Sequence, residues 1–438
     1  MEKACLIEVP AQLSRGKACA LFLAMCLLFI VCNRGAYHGY FEDDDMQTLS
    51  WAPIVPASEF GRVILSPLFQ VDNFRPAAHL NYHILGKLFG LAFPPYVVLI
   101  HGLHLLNVWL VWLLARRLGA DSFAASAASL FFGFHMASFD IYWKPLYMFD
   151  LECGTFCLLS LLFYTQRRYL LAFAAFWLAY KCKELGIMLP AVFVLYEFWR
   201  GERRWRTLIP FFLVSASFGL QGVFLNHHAD DPYTLRFTLS ALGTTSRFYS
   251  SNVLLIHHAG FVVLPLALMF GNARVRFGIA TMLLFMAPFA FLPGRLEAAF
   301  CYVPLIGLAV AVSGIATRRH AIPATAILTL WVGFNIYRLQ AKQDKTLKAE
   351  QENRVYITTL EKFVSADPQI QFYTYDRSLT AMRPWGIQAA LVYLRRKDTA
   401  LFSADSLQSG QIPPGSPVGI LKWDGNEQTL RISVQTMQ

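Results

Sequence analysis

Charge is scarce in this chain. Only 15% of its 438 residues are Asp, Glu, Lys or Arg, where a soluble protein carries roughly a quarter. That shortage argues against a water-soluble globular protein. Cysteine is present eight times but never in a useful pattern. Cys19, Cys26, Cys32, Cys153, Cys157, Cys182 and Cys301 lie in or beside apolar segments. They have neither paired zinc spacing nor a disulfide framework and read as small apolar fillers. Internal repeats and low-complexity stretches are absent, which excludes solenoids and biased linkers. The first apolar segment, Ala18–Cys32, resembles a signal peptide. No small-residue cleavage site precedes the acidic loop beyond it, so a retained helix is expected.

What is abundant is apolar sequence, 56% of the chain. It falls in long blocks, which points to an all-α polytopic membrane protein. About eleven spans are expected by length and apolarity: Ala18–Cys32, Tyr96–Leu114, Phe123–Ala137, Leu146–Tyr164, Tyr169–Tyr180, Leu185–Trp199, Leu208–Leu225, Val253–Phe270, Phe277–Leu292, Ala298–Ala316 and Ile322–Tyr337. The net charge is +10, 38 basic less 28 acidic residues. In a soluble protein that balance would suggest a nucleic-acid partner. Here the basic residues stand in short clusters between apolar blocks: Arg15/Lys17, Arg116/Arg117, Arg167/Arg168, Arg200/Arg203/Arg204/Arg206, Arg274/Arg276 and Arg318/Arg319. Topology explains them better, and the positive-inside rule makes their side cytoplasmic. The amino terminus is then cytoplasmic, and no nucleic-acid partner is expected. Residues 1–340 form the membrane domain, with a long first outer loop at 35–95. Residues 341–438 form a small α/β tail outside the cytoplasm. In the tail, Lys342–Val364 reads as a charged helix, and Gly419–Val434 as a hairpin around Asp424-Gly425-Asn426.

The outer loop opens with GYFEDDD. Carboxylates clustered at a membrane face are costly and usually functional. Close neighbours raise a carboxylate's proton affinity and suit Asp43, Asp44 or Asp45 to general-base work. Two of them facing one point would suit a divalent cation, Mg or Mn. The plainer alternative is a solvated capping run, since Asp favours N-caps and turns. Further on, Arg75 in Phe74-Arg75-Pro76 suits a phosphate or an interfacial anchor. Ala77–Leu91 reads as an amphipathic or re-entrant helix. His79, Asn81 and His83 alternate and do not share one helical face.

Arg168 and Arg200 should both be inside, yet only about 32 residues separate them, fewer than the roughly 40 that two full spans need. The apex Lys181-Cys182-Lys183-Glu184 should therefore sit below the outer surface. Lys183 there needs an anion, or it pairs with Glu184 or snorkels. His101, His104 and Asn107 form a polar stripe that must face the bundle interior. It serves helix-to-helix hydrogen bonding or the substrate, and His135 is a candidate member of the same network. Asp140, Trp143, Lys144 and Asp150 follow at the next outer turn, where they would line the cavity or anchor the interface. Arg295 and Glu297 lie on a later one. Asp43–Asp45, Arg75, Lys183 and Arg295 thus share one face, which suits a substrate with a lipid tail and a phosphate head.

The ordered set YFEDDD, FRPAAHLNYHILGKLFGL, YVVLIHGLHLLNVWLVWLLARRLG, SLFFGFHMASFDIYW, KCKELGIMLP and GRLEAAFCYVPLIGLA resembles the GT-C superfamily of membrane glycosyltransferases. The bacterial relatives of the protein O-mannosyltransferases, and the transmembrane O-mannosyltransferases with tetratricopeptide repeats, are the nearest comparison. The resemblance runs over about Ala18 to Ala316. It implies transfer of a sugar, usually with inversion, from a polyprenyl-phosphate donor to a protein, lipid or glycan acceptor on the outer face of a bacterial inner membrane. It also implies an acidic base in the first outer loop, with Asp44 favoured. Lys183 and Arg295 would contact the lipid phosphate, and Arg75 would shape the loop or assist them. Glu184, His101 and His104 are further candidates for substrate contact. Three features depart from the family: Met136 follows His135 where proline is usual, the acidic element has three residues rather than two, and no tetratricopeptide repeats follow. The rival readings are a lipid-linked-sugar flippase and an envelope-assembly scaffold.

Overall fold

The computed structural model describes residues 15–68, 74–199, 203–225, 232–376, 382–395, 399–404 and 411–437. Arg200, one of the basic-cluster residues, lies outside them. Helices α1 (Arg15–Cys32), α2 (Asp43–Trp51), α3 (Ala57–Leu65), α4 (Pro76–Phe89) and α5 (Pro94–Arg117) come first. They are followed by α6 (Ser122–Gly133), α7 (Phe139–Trp143), α8 (Met148–Thr165), α9 (Tyr169–Cys182), α10 (Leu189–Trp199) and α11 (Ile209–Leu225). Then come α12 (Leu239–Leu254), α13 (Gly260–Phe270), α14 (Ala273–Met286), α15 (Tyr302–Ile315) and α16 (Ala321–Ala366). The tail adds β1 (Phe372–Tyr375), α17 (Pro384–Arg395), β2 (Ala400–Ser403), β3 (Pro417–Asp424) and β4 (Thr429–Thr436).

Among the described residues, four helical segments are long and apolar enough to cross a membrane: Pro94–Arg117, Pro145–Thr165, Ala298–Ile315 and Arg318–Ala366. A fifth counts if Ser122–Gly133 and Met136–Trp143 form one span bent by 46°. Helices stand at the other expected places, but most are shorter than a full span. The bend has a cause. The His135 ring accepts the Ala137 N–H at 3.2 Å and meets the Val253 carbonyl at 2.9 Å, so the helix breaks to seat it. The span expected over Val253–Phe270 is instead a reversal. Leu255 and His258 take left-handed backbone at φ 57° and 59°, and α13 begins at Gly260. There a Cβ would lie 2.5 Å from Ser250 Cβ.

Large apolar side chains cover the outside of the bundle. Leu23, Leu27, Leu213, Val262, Ile327 and Leu330 are all exposed, as lipid contact requires and water discourages. Inside, α14 and α15 cross backbone to backbone. A Cβ on Gly278 would meet the Gly307 carbonyl at 2.5 Å, and one on Gly307 would meet the Gly278 carbonyl at the same distance. Small residues at a crossing allow this approach where lipid gives no hydrophobic drive. Members of the basic clusters cap helix ends: Arg117 donates to the Thr165 carbonyl at 2.8 Å and Arg274 to that of Ser313 at 2.9 Å. Such contacts satisfy terminal carbonyls and complement the helix dipole.

The charged helix expected from Lys342 is no separate element. It continues the last apolar helix as α16, 46 residues long, which carries the chain through residue 340 into the tail. The tail sheet has the order β2-β1-β3-β4. β1 pairs in parallel with β2 and β3. β3 and β4 form the expected antiparallel hairpin, closed at Asp424 opposite Thr429.

Candidate active site

The acidic triplet forms the first turn of α2. Glu42 is the N-cap, and its backbone N–H donates to Asp45 Oδ2 at 2.9 Å in a capping box. Asp45 is fully buried and also accepts the Tyr82 hydroxyl at 2.6 Å. Burial pushes its carboxyl up to about 7, against the two hydrogen bonds that lower it. Asp43 turns the other way. Its Oδ1 accepts the Arg383 backbone N–H at 2.9 Å, just ahead of α17. Burial raises this carboxyl to about 6, the Arg383 N–H opposing it. Asp44 Oδ1 accepts the Trp385 indole N–H at 3.2 Å. Its Oδ2 holds no hydrogen bond among the described residues. Asp45 thus closes the cap of its own helix, buried and not solvated, while Asp43 and Asp44 both reach the chain at the start of α17.

The bases meet nearby, each with a carboxylate. Arg75 reaches Glu184 in a fork, Nε to Oε1 at 3.2 Å and Nη2 to Oε2 at 3.3 Å. It lies over the Phe149 ring at 5.2 Å. Lys183 is buried and pairs with Asp150 at 2.5 Å, not with its neighbour Glu184. The reason is chain geometry. α9 and α10 have 14 and 11 residues, about 21 and 17 Å at 1.5 Å per residue, short of a hydrocarbon core of about 30 Å. The apex between them is drawn into the bundle, where Lys183 meets the first turn of α8. Arg295 pairs with Glu297 at 2.9 Å and lies 4.6 Å from the Tyr233 ring centre. The charges of Arg295, Glu297, Arg75 and Asp44 all reach the Tyr233 hydroxyl, and Lys183 lies 4.8 Å from the Phe300 ring centre beside them. Asp150 acts in turn on Arg75.

The structure thus brings Asp44, Arg75, Lys183, Glu184 and Arg295 into one cluster at the end of the bundle that faces the tail. His101 and His104 stand apart, within the helices. His104 uses both ring nitrogens on protein, with Tyr302 Oη and the Gly133 carbonyl each at 3.0 Å. His101 meets Tyr37 Oη at 3.1 Å. Both rings make contacts within the helix bundle. His135 joins a different neighbour, Val253, and not their stripe. Lys144 pairs with Glu42 at 2.7 Å, and Lys342 with Asp140 at 2.7 Å.

Three residues of the site escape a reading of the sequence. Tyr233 stands in a stretch without a motif, whereas Asp150 was already a candidate at the outer turn and proves to be the partner of Lys183. Trp385 and Gly386 belong to the tail. Pro384 at a helix's first position is a start signal for α17, but nothing local says which helix it will meet. Among the described residues, no group of three or more His, Cys, Asp and Glu is gathered to hold a metal.

No family model matches the chain, and no curated protein matches it. Solved structures do. ArnT from Cupriavidus metallidurans, bound to undecaprenyl phosphate, is 14% identical, with 96% of this chain and 98% of that one covered at a TM-score of 0.50. Its apo state gives the same figures. The mycobacterial arabinofuranosyltransferase AftD is 13% identical at a TM-score of 0.52, covering 89% of this chain but only 32% of the longer protein. The chain shares the fold of these structures over nearly its whole length.

Proposed function

We propose that the protein is a glycosyltransferase of the bacterial inner membrane. It takes a sugar from a polyprenyl-phosphate donor and passes it to an acceptor hydroxyl outside the cytoplasm. The observation that carries this reading is the gathering of Asp44 with Arg75, Lys183 and Arg295 on a fold shared with a protein that binds undecaprenyl phosphate. Asp45 uses both oxygens on protein, whereas Asp43 and Asp44 each keep one oxygen without a hydrogen bond among the described residues; Asp44, the one that acts on Tyr233 together with Arg75 and Arg295, takes the acceptor's proton. The acceptor oxygen forms its bond to the sugar's anomeric carbon from the side opposite the phosphate, so the configuration inverts. The carbon–oxygen bond to phosphate breaks, and the lipid phosphate leaves with the electron pair. Arg75, Lys183 and Arg295 stabilise that developing charge.

The three bases face three carboxylates, Glu184, Asp150 and Glu297. The cluster is therefore close to neutral without donor. Phosphate is held by exchanging partners at Arg75 and Arg295, not by a standing positive field. A flippase would need the bases but not the proton acceptor.

The test uses purified protein in lipid with radiolabelled polyprenyl-phosphate sugars and cell-envelope extract, run beside Asp44→Asn. Label should pass from lipid to acceptor with wild type and fall by roughly 10²-fold or more in the variant, with its unfolding temperature unchanged. Full transfer by Asp44→Asn would sink the assignment. Donor binding without turnover in either protein would favour the flippase.

A further inference from the structure

Tyr233 takes no step in the transfer above, yet several contacts fix its place. Residues 232–238 run as a strap over the outer turn at 289–295. The Arg236 backbone N–H donates to the Phe291 carbonyl at 2.8 Å. The Phe237 and Phe291 rings meet with their centres 5.1 Å apart. Gly294 lets the strap come down onto the turn. A Cβ there would lie 2.8 Å from the Pro232 carbonyl oxygen and 2.9 Å from the Pro232 Cα. Both obstacles are backbone, so only glycine permits the approach.

This packing sets the Tyr233 ring, one residue after Pro232, on the Arg295 guanidinium, one residue after Gly294. The guanidinium carbon lies 4.6 Å from the ring centre, inside the roughly 6 Å over which a ring face attracts a cation. Arg295 also lies 2.9 Å from Glu297, Nε to Oε1. That Nε is buried but completes no hydrogen bond among the described residues. Charge holds the pair, and no N–H is aimed at the carboxylate. The ring therefore grips the cation without consuming its donors, and a phosphate can take two of them at once.

We propose that Tyr233 is a positioning residue, whose ring face holds Arg295 where the phosphate of the lipid donor binds. This rests on the reading that Arg295 holds that phosphate. Tyr233 acts through the arginine and not through its own hydroxyl.

Binding of the lipid phosphate alone separates this proposal from the one above, since no sugar need move. The probe is radiolabelled undecaprenyl phosphate, bound to the full chain in lipid nanodiscs, with uncharged undecaprenol as control. Tyr233→Leu, which removes the ring, should weaken undecaprenyl phosphate roughly threefold or more and leave undecaprenol unaffected. Tyr233→Phe, which keeps the ring, should bind as wild type does. Tyr233 is 42% exposed, so neither change should move the melting temperature. Gly294→Ala alters neither partner, yet its Cβ displaces Pro232 and should reproduce the loss. In an Arg295→Gln background, Tyr233→Leu should have no further effect.

Unchanged binding by Tyr233→Leu would overturn the proposal. So would Tyr233→Phe binding as weakly as Tyr233→Leu, which would assign the hydroxyl to the phosphate. A full effect of Tyr233→Leu on top of Arg295→Gln would overturn it as well. A wild type that binds no undecaprenyl phosphate would reject it together with the transferase. A wild type that binds in the expected pattern but transfers no label would keep the positioning role and reject the transferase.

Discussion

Glu42 and the three aspartates after it share one helical turn yet meet different surroundings. Asp45 is the extreme case. Its carboxyl ordinarily titrates near 3.8, and burial carries it to about 7 in the folded chain. Between those values the folded state holds a proton that the unfolded state has released. Stability is therefore fully present below about pH 4 and is lost as pH rises through about 7. Asp43 adds a loss in the same direction, complete by about pH 6. Asn at position 45 has no proton to lose. The expected result is that the melting temperature of wild type, minus that of Asp45→Asn, falls between pH 5 and pH 8. A difference independent of pH would show that Asp45 is not held as described. The same turn shows what a sequence can say about single residues. Three adjacent acids announce a feature, but which is buried depends on Tyr82, 37 positions away. Likewise Lys183 demanded an anion, and the anion proved to be Asp150, because α9 and α10 are too short to keep the apex at the surface.

α2 and α17 meet closely, and Gly386 is the reason. A Cβ there would lie 2.2 Å from Asp43 Oδ1 and 2.9 Å from Asp43 Cα. Since backbone is involved, a rotamer change cannot make room. Gly386→Val should weaken the docking by roughly 1–3 kcal/mol. Hydrogen exchange should then quicken in residues 43–51 and 384–395, stay unchanged in α5 and α15, and be accompanied by lower transfer. Unchanged exchange in both segments would refute the contact. Elements of this kind divide by what their signal depends on. α5, α8 and α15 were legible because long apolar runs fix a helix locally, and so was the β3–β4 hairpin from its Asp-Gly-Asn turn. The break at His135 and the reversal at Leu255 were not, because each depends on contacts made across the bundle. The α17–α2 contact joins positions some 340 residues apart, and no periodicity encodes it.

The whole chain is a membrane bundle with a small sheet domain carried on its last helix. The basic clusters predict the sidedness of that arrangement, and the turns on either side are accessible for testing. In a chain whose eight native cysteines are replaced, Gln166→Cys and Asn426→Cys place single thiols on exposed turns at opposite ends. A membrane-impermeant maleimide should label Asn426→Cys in intact spheroplasts, and Gln166→Cys only after permeabilisation. The reverse pattern would invert the topology and put the cluster on the cytoplasmic side.

α16 runs without a break from Ala321 to Ala366, roughly 69 Å at 1.5 Å per residue. No hinge separates the part among lipids from the part that carries the tail. At its far end the tail is also fastened, through α17, to the turn that bears Asp44. Between its ends, Gln343, Gln351, Asn353 and Arg354 donate to backbone carbonyls from Cys32 to Phe41. A beam fastened in this way cannot swing freely, and it passes any tilt imposed below to the outer loop it holds. A change in bilayer thickness that tilts α16 would therefore reach Asp44 as strain through Arg383 and Trp385, and the bilayer itself becomes a part of the site's setting.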